Sequence, residues 1–449
     1  IYNFKEGISC DRDIQLYCGR GRAIVNIVKY DGGKDTGFGS KPNGITAGAG
    51  VEIYEDIAFV NLGYPIQTAV NKVPDNGVVY VDSGTYAGNI QINKPVILLG
   101  SGAISGFAID EESLMLTPST ASKIVYKGSA GPGINLTGAG IANVTIRGFL
   151  FSGINGDGIT CSASGPNAEL NNVRLENNGF ESIDKDFIDF ANVKRTGVVI
   201  RRNAFCEKTA SKKTVVNLAG SSNRATSIDG NLISFRTNSN SSDGIGVSGA
   251  DGVCISNNTI VNSGGNAISV NNTGNSIQCI GNDITGAYAG IAFLPSGGAG
   301  IKSINIYNNN IKDAKRAGIY AFDAVSSSGN LTIGHNSVNQ DAGKITAAYS
   351  AIYLRTDEGV GKTADVSGNA VSIYGTGRCD INGIYILSGP NKLNIHDNRL
   401  RNTAASTYDA DICGIYIDPV SSADVIDGLS RNTIEGFARP VYDGRDRTK

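Results

Sequence analysis

One short phrase constrains the fold of this chain more than any other feature, because it returns every 24 to 34 residues. The phrase is an apolar residue, two further residues, Asn, any residue and a second apolar residue, as in Ile255-Ser256-Asn257-Asn258-Thr259-Ile260. Its asparagines are Asn178, Asn203, Asn231, Asn258, Asn282, Asn309, Asn336, Asn369, Asn398 and Asn432. A fixed period of this size predicts a solenoid, in which each repeat forms one rung of a continuous stack.

The recurring asparagine is expected at the sharp bend between two strands of each rung. Asn tolerates the left-handed backbone conformation that a tight turn needs. Its side-chain amide can also bond to the Asn of the next rung, which would give a ladder of stacked amides. We therefore assign these asparagines a structural role.

A second column of short apolar–x–apolar triplets runs beside the asparagines. Because side chains alternate along a strand, the flanking residues are predicted to point inward and the middle one outward. The middle residues, in chain order, are Thr160, Asp189, Asn217, Gly246, Ser269, Ala292, Tyr320, Tyr353, Tyr385 and Tyr416. The outward position is therefore polar or small on the early rungs and Tyr on the last four.

The segment before the repeats predicts the entry into the solenoid. Tyr64 to Val73 has apolar residues at helical spacing with Pro65 near its start, which predicts a short amphipathic helix. Short strands and turns follow, in Val78-Val79-Tyr80-Val81 with Gly84-Thr85-Tyr86, then Ile90-Gln91-Ile92 and Val96-Ile97-Leu98-Leu99-Gly100. This succession resembles the entry into right-handed parallel β-helix proteins of the pectate-lyase-like superfamily. The resemblance covers most of residues 61–434.

The expected fold is all-β: a right-handed parallel β-helix of about 12–13 rungs with a short N-terminal cap helix. We divide the chain into an N-terminal cap or attachment region (1–60), the β-helix (61–434) and a C-terminal tail (435–449). A solenoid must protect its terminal rungs. The short charged tail or a partner would have to cover the last one, and head-to-tail stacking into a filament is one form of the second arrangement.

Charge and composition bound the partners. The net charge is −2 and the pI is about 5.9, which gives no electrostatic case for nucleic acid or an anionic membrane. No apolar run is long enough to insert into a membrane. The sequence starts at Ile1 without Met, which we interpret as a mature secreted protein, extracellular or on the cell surface.

Eight cysteines favour an oxidising compartment. Cys10 and Cys18 lie close together in an irregular segment and are disulfide candidates. Cys379 and Cys413 each lie 19 residues before a repeat asparagine, so a rung-to-rung bridge between them is the second candidate. No Cys/His cluster indicates zinc, and no metal site is predicted.

The four outward tyrosines are the main candidate binding residues. Tyr320, Tyr353, Tyr385 and Tyr416 should form an exposed row of phenols, with Arg355 near its edge. Aromatic rings beside hydrogen-bonding groups suit an extended sugar chain or a partner protein. The alternative is purely structural, because Tyr has high strand propensity and pairs well across strands.

Two sets of residues are weak catalytic candidates. Asp323, Asp357 and Asp418 border the tyrosines and could supply the two carboxylates of a glycosidase. The chain lacks the Gly-His-Gly and paired Asp-Asp that polygalacturonases show. The run from Ile188 to Phe205 resembles alginate- and chondroitin-type β-helix lyases, with Lys194 near the position of their catalytic Lys, although its mixed charge otherwise suggests a solvated face. If the chain is a lyase, the resemblance implies a further cation or Ca²⁺ that neutralises the acid group of the sugar. The Arg-His pair of those lyases is missing from the next rung, where Val215 to Gly220 stand.

The sequence thus predicts an extracellular or cell-surface structural β-solenoid that self-assembles, binds polysaccharide, or does both. Its expected partners are copies of itself and polysaccharide, with no nucleic acid and no membrane insertion. No cofactor is predicted apart from the Ca²⁺ of the lyase case. The alternative function is a polysaccharide lyase or glycoside hydrolase acting on an extracellular glycan.

Overall fold

A computed structural model describes most of the chain from Val51 to Arg445. The ranges described are 51–54, 56–102, 107–110, 115–117, 121–129, 131–138, 140–163, 168–191, 193–208, 213–220, 222–236, 242–271, 273–294, 300–322, 325–345, 347–355, 362–377, 379–388, 392–406, 412–419, 421, 425–426 and 429–445. Cys10 and Cys18, with Asp323 and Asp357, lie outside these residues.

Each repeat forms one rung with a strand in each of three sheets. In one rung, Ala250–Ser256 lies in sheet 1, Thr259–Val261 in sheet 2 and Asn266–Asn271 in sheet 3. The chain then returns to sheet 1 at Thr273–Ile280, which pairs in parallel with Ala250–Ser256. The repeat asparagine stands at the corner between sheets 1 and 2. Stacking of rungs in register buries the apolar face that one rung alone would leave in water.

Sheet 1 has nineteen strands, because several early rungs contribute two. They are Val51–Tyr54, Ile57–Val60, Gly77–Val81, Val96–Gly100, Gly140–Ala142, Val144–Arg147, Glu169–Asn171, Arg174–Glu176, Lys194–Thr196, Val199–Arg201, Asn223–Arg224, Ser227–Asp229, Ala250–Ser256, Thr273–Ile280, Gly300–Tyr307, Val325–Gly334, Thr363–Ser367, Lys392–His396 and Val425–Ile426.

Sheets 2 and 3 have thirteen strands each, which confirms the predicted rung count. Sheet 2 consists of Gly84–Ala87, Ser122–Tyr126, Phe149–Ile154, Gly179–Ile183, Ala204–Glu207, Leu232–Phe235, Thr259–Val261, Asp283–Thr285, Asn310–Lys312, Ser337–Asp341, Ala370–Tyr374, Arg399–Asn402 and Thr433–Glu435. Sheet 3 consists of Ile90–Ile92, Ile134–Leu136, Ile159–Cys161, Ile188–Asp189, Thr214–Leu218, Asp243–Val247, Asn266–Asn271, Ala289–Leu294, Ala317–Phe322, Tyr349–Arg355, Ile381–Ser388, Ile412–Ile417 and Arg439–Asp443.

The remaining elements lie outside the three sheets. A hairpin pairs Ala108–Asp110 with Met115–Thr117, and a small sheet pairs Thr376–Gly377 with Ala405–Ser406. The 3₁₀ turns are Ala342–Lys344 and Leu429–Arg431.

Strands of the three sheets extend on both sides of the predicted range 61–434, so the division of the chain into domains stays a prediction.

The core is a column of stacked apolar side chains. In the rung of Tyr353, the flanking Ile352 and Leu354 are both fully buried, which confirms the predicted inward positions. An aromatic stack occupies the early rungs: the Phe180 ring lies 4.7 Å from Phe151 and 4.9 Å from Phe205 between centroids. Stacked rings at these distances are favourable beyond the area that they bury.

The asparagine ladder is present, but its role in the turn differs from the prediction. Asn282 Nδ2 donates to Asn309 Oδ1 (2.9 Å) and to the Ile255 carbonyl (2.9 Å), and the same bonding recurs from Asn178 to Asn432. The left-handed residue is the one before the ladder position, for example Gly281 at φ 65° and His335 at φ 54°. The ladder asparagines stabilise the corner because their side-chain amides form hydrogen bonds with buried backbone groups there.

The two ends of the stack differ. At the N-terminal end the predicted helix is confirmed as Ile66–Lys72, with Ile66, Ala69 and Val70 buried. Gln67 exchanges hydrogen bonds with the backbone of Gln91, and so covers the edge of the first strand of sheet 3. No helix of the described residues is long and apolar enough to cross a membrane.

At the C-terminal end the apolar core comes to the surface. Val441 is the register partner of the buried Ile415, yet it is 41% exposed. Among the residues described, nothing covers this inward position as the helix covers the first rung. The last rung therefore leaves the apolar side chain at its inward position partly exposed.

The expected bridge between Cys379 and Cys413 is wrong in this structure, where both residues are thiols. Cys413 pairs in register with Asn382, so Cys379 is not opposite it. The segment from Ile417 to Asn432 is longer than that from Ile386 to Asn398, and counting back from the asparagines therefore misplaced one cysteine. The proposed Cys10–Cys18 pair lies outside the described residues.

Candidate functional site

The outward tyrosines of sheet 3 form one continuous stack, the tyrosine ladder. It consists of Tyr320, Tyr353, Tyr385, Tyr416 and Tyr442. Successive ring centroids lie 4.7, 5.3, 5.0 and 4.9 Å apart, with interplanar angles of 9–26°. Register pairing of sheet 3 places one ring on each of the last five rungs.

Stacking determines which part of the tyrosine ladder a ligand can reach. Each interior ring has a neighbour on both faces, and the residues are half-buried, not freely exposed as the sequence suggested. The accessible part is therefore the ring edge with its hydroxyl group, repeated once per rung. The ladder offers a ligand a row of polar groups on an apolar strip.

Charged groups border the tyrosine ladder. The Tyr385 hydroxyl donates to Asp418 Oδ2 at 2.8 Å. Burial raises the pKa of Tyr385, and the hydrogen bond to the Asp418 carboxylate raises it further. Arg355 lies 4.2 Å from the centroid of the Phe322 ring, which itself stacks beside Tyr320. Asp418 is thus tied to the ladder.

A separate group of three aspartates lies on the early rungs of sheet 3, and we call it the aspartate cluster. Ile159 and Ile188 are register partners on neighbouring rungs. Asp157 stands two residues before Ile159, and Asp186 stands two residues before Ile188. Asp189 is the outward residue of the rung that contains Ile188. Asp186 accepts from Asn217 Nδ2 (2.8 Å) and from the backbone N–H of Thr214 (2.9 Å).

The aspartate cluster has altered acidity. Burial, followed by the charges of Asp189 and Asp186, raises the pKa of Asp157 to about 6. Burial also raises the pKa of Asp186, against the hydrogen bonds from Asn217 and Thr214, which lower it. A carboxyl group with a raised pKa beside other carboxyl groups is an arrangement from which an acid and base pair can be built.

The basic residues near Lys194 do not form one site. Lys194 is exposed on sheet 1, whereas Asp186 and Asp189 lie on sheet 3. Arg195 is fully buried and donates to Asn223 Oδ1 (2.6 Å) and to the Leu218 carbonyl (2.8 Å). The structure therefore separates Lys194 from Asp186 and Asp189.

Part of the run around Lys194 is buried, although its mixed charge suggested a solvated face. Lys213 pairs with Glu207 at 2.7 Å, and both side chains are only 2% exposed. Together with Arg195, this pair places charged groups in the interior of the stack. Among the residues described, no group of three or more His, Cys, Asp or Glu side chains is arranged to hold a metal ion.

Comparison with solved structures decides the fold. The Dettilon tailspike protein superimposes with a TM-score of 0.52 at 13% identity, covering 76% of this chain and 64% of the tailspike. The chain is a right-handed parallel β-helix. The matched part of this chain spans somewhat less than two thirds of the tailspike's length. No protein family and no curated protein matches the sequence.

Two enzymes show weaker similarity to the β-helix. The DFA-IIIase from Arthrobacter chlorophenolicus A6 has a TM-score of 0.44 at 13% identity, covering 85% of this chain and 96% of the enzyme. The alginate lyase from Paenibacillus sp. str. FPU-7 has a TM-score of 0.39 at 11% identity, covering 84% and 99%. At these identities the likeness concerns the fold and not the site.

Sequence reasoning missed two parts of the β-helix surface. Tyr442 was missed because the charged Asp443 follows it, whereas an apolar residue follows each of the other ladder tyrosines. Asp157 precedes Gly158, as in an ordinary turn, so its local sequence does not mark a site. Its proximity to Asp186 depends on the register between rungs, which the local sequence does not show.

Proposed function

We propose that this protein is an extracellular β-helix that binds polysaccharide along sheet 3, with the tyrosine ladder as the main contact. The observation that carries the proposal is the ladder itself, with five stacked tyrosines on consecutive rungs. A glycan chain lying along the rod would meet a hydroxyl group and an apolar ring edge at every rung. Tyr suits such contacts because it combines an apolar body with a polar tip.

Replacing Tyr320, Tyr353, Tyr385 and Tyr416 together with Phe tests the proposal. The rings and their stacking remain, so the fold should be preserved while four hydroxyl groups are lost. A hydrogen bond contributes about 0.5–1.5 kcal/mol, so the affinity for a bound polysaccharide should fall by at least about 10-fold. Affinity electrophoresis against a panel of soluble polysaccharides measures this effect.

The matched control is Tyr307→Phe, which removes a hydroxyl group from sheet 1, where Tyr307 contacts His335. Its affinity should equal that of the wild type. Unchanged binding in the fourfold variant, or loss of binding in the control, would refute the role of the tyrosine ladder.

For the expected self-association, the surface that favours contact is the C-terminal end around Val441. The helix Ile66–Lys72 covers the opposite end, so a second copy would contact the last rung, where Val441 is exposed. Sedimentation velocity over a range of concentrations should show oligomers that Val441→Asp abolishes. A wild-type protein that stays monomeric throughout would contradict self-association.

A glycoside hydrolase is the second candidate function, favoured by the aspartate cluster. Neighbouring parallel strands lie about 4.8 Å apart, and a retaining glycosidase separates its two carboxyls by about 5–5.5 Å. Asp157, whose pKa is raised to about 6, would donate the proton to the leaving sugar. Asp186 or Asp189 would supply the second carboxyl group. The catalytic carboxyl groups of this candidate are therefore not Asp323, Asp357 and Asp418, which the sequence suggested.

The hydrolase candidate predicts that a bound polysaccharide is cleaved with release of reducing ends. The rate should fall as the pH rises through about 6, because Asp157 must be protonated to act as the acid. Asp157→Asn should abolish cleavage, whereas Asp243→Asn, at the corresponding position three rungs further on, should not. Absence of reducing ends with every polysaccharide that binds would exclude this function.

A further inference from the structure

The first ring of the tyrosine ladder differs from the others because no tyrosine precedes it. On the rung before Tyr320, the outward residue is Ala292. The guanidinium of Arg316 lies over the Tyr320 ring instead, 5.1 Å from its centroid. The ladder therefore begins with a cation stacked on an aromatic ring.

Arg316 is held in position from the rung before it. Its NH1 group donates to the Tyr288 hydroxyl at 3.1 Å, and its backbone N–H donates to the Tyr288 carbonyl at 2.9 Å. The bond to Tyr288 raises the pKa of Arg316. A guanidinium fixed by a ring and a hydrogen bond loses little conformational entropy when a ligand binds.

Both residues face the solvent. Arg316 is exposed, and Tyr288 is 42% exposed, one of four large apolar side chains exposed to this degree among the residues described. No carboxylate of the described residues lies within salt-bridge distance of Arg316, whereas Arg174 and Arg201 both pair with Glu176. Arg316 thus presents a fixed positive charge beside an accessible aromatic ring.

We infer that Arg316 and Tyr288 form a subsite for an acidic sugar unit, which makes the ligand an anionic polysaccharide. The inference rests on the proposed binding along sheet 3. The guanidinium matches the planar geometry of a carboxylate and also binds sulfate, through charge-assisted hydrogen bonds. The Tyr288 ring packs against the apolar face of the same sugar or its neighbour.

Binding to matched pairs of polysaccharides tests the subsite. The carboxylated probes are polygalacturonate and carboxymethyl cellulose, with methyl-esterified pectin and hydroxyethyl cellulose as uncharged counterparts. Dextran sulfate and dextran form the sulfated arm. The wild type should prefer the charged member of at least one pair, and the pair concerned distinguishes carboxylate from sulfate. Arg316→Gln should reduce that affinity by about 10-fold or more, because hydrogen bonds to charged groups contribute about 1.5–3 kcal/mol.

Two variants separate recognition from general charge. Arg224→Gln removes an exposed positive charge on sheet 1 and should leave every affinity unchanged. Tyr288→Phe keeps the ring but loses the bond that fixes Arg316, and should give an intermediate loss. Arg316→Gln should not alter binding to any uncharged polysaccharide.

The outcomes distinguish the two proposals. If the wild type binds no polysaccharide, the proposed function fails. If it binds but prefers uncharged members, or if Arg316→Gln and Arg224→Gln have equal effects on acidic members, the acidic subsite is refuted while binding along sheet 3 stands.

Discussion

Phe180→Ala should reduce the free energy of unfolding by about 3–5 kcal/mol, the range observed for truncation of a buried Phe. The Phe180 ring is fully buried between Phe151 and Phe205, and the Phe187 ring lies 6.3 Å away. The strands of adjacent rungs fix the backbone spacing, so the neighbours cannot close the cavity by moving together. Urea denaturation followed by circular dichroism measures the change.

Two further substitutions calibrate the Phe180 measurement. Phe180→Leu refills most of the volume and should cost clearly less than the alanine variant. Leu62→Ala truncates a side chain that is 63% exposed and should change stability by less than about 0.5 kcal/mol. An alanine variant at Phe180 as stable as the wild type would contradict the aromatic stack.

Asn282→Ala should reduce the free energy of unfolding by about 2–5 kcal/mol, because each buried group left without a partner costs about 1–3 kcal/mol. Asn282 Oδ1 accepts from the Asn258 backbone N–H (3.1 Å) and from Asn258 Nδ2 (3.0 Å). Its Nδ2 donates to the carbonyl of Ile255. The substitution removes these three bonds, and also the bond from Asn282 Nδ2 to Asn309 Oδ1, in a place that water does not reach.

The matched control for the ladder is Asn310→Ala. Asn310 is exposed on sheet 2, and its side-chain amide donates to Asp283. The substitution should cost less than about 1 kcal/mol. Equal destabilisation by Asn282→Ala and Asn310→Ala in urea denaturation would show that the ladder bonds do not stabilise the corner.

Features that repeat along the chain could be predicted from the sequence. The inward columns follow from the alternation of side chains on a strand, as Ile352, Tyr353 and Leu354 illustrate. The asparagine ladder follows because an amide can bond both to a backbone group and to its own copy one rung away. Four of the five ladder tyrosines were found in the same way.

Features that depend on the register between rungs could not be predicted. The pairing of Cys413 with Asn382 reflects a difference in loop length that counting residues does not reveal. The local sequence also does not predict that Arg195 and the Lys213–Glu207 pair are buried, because charged runs usually lie in solvent. The raised pKa of Asp157 arises first from burial and then from the charges of Asp189 and Asp186 across adjacent turns.

The most direct test of binding along sheet 3 is a crystal structure of the protein with an oligosaccharide from the polysaccharide that it binds best. The sugar chain is expected to lie along the rod on sheet 3, with hydroxyl groups of Tyr353, Tyr385 and Tyr416 within hydrogen-bond distance and an acidic unit at Arg316. A sugar chain bound on sheet 1 or sheet 2, with the tyrosine ladder unoccupied, would contradict the proposed function.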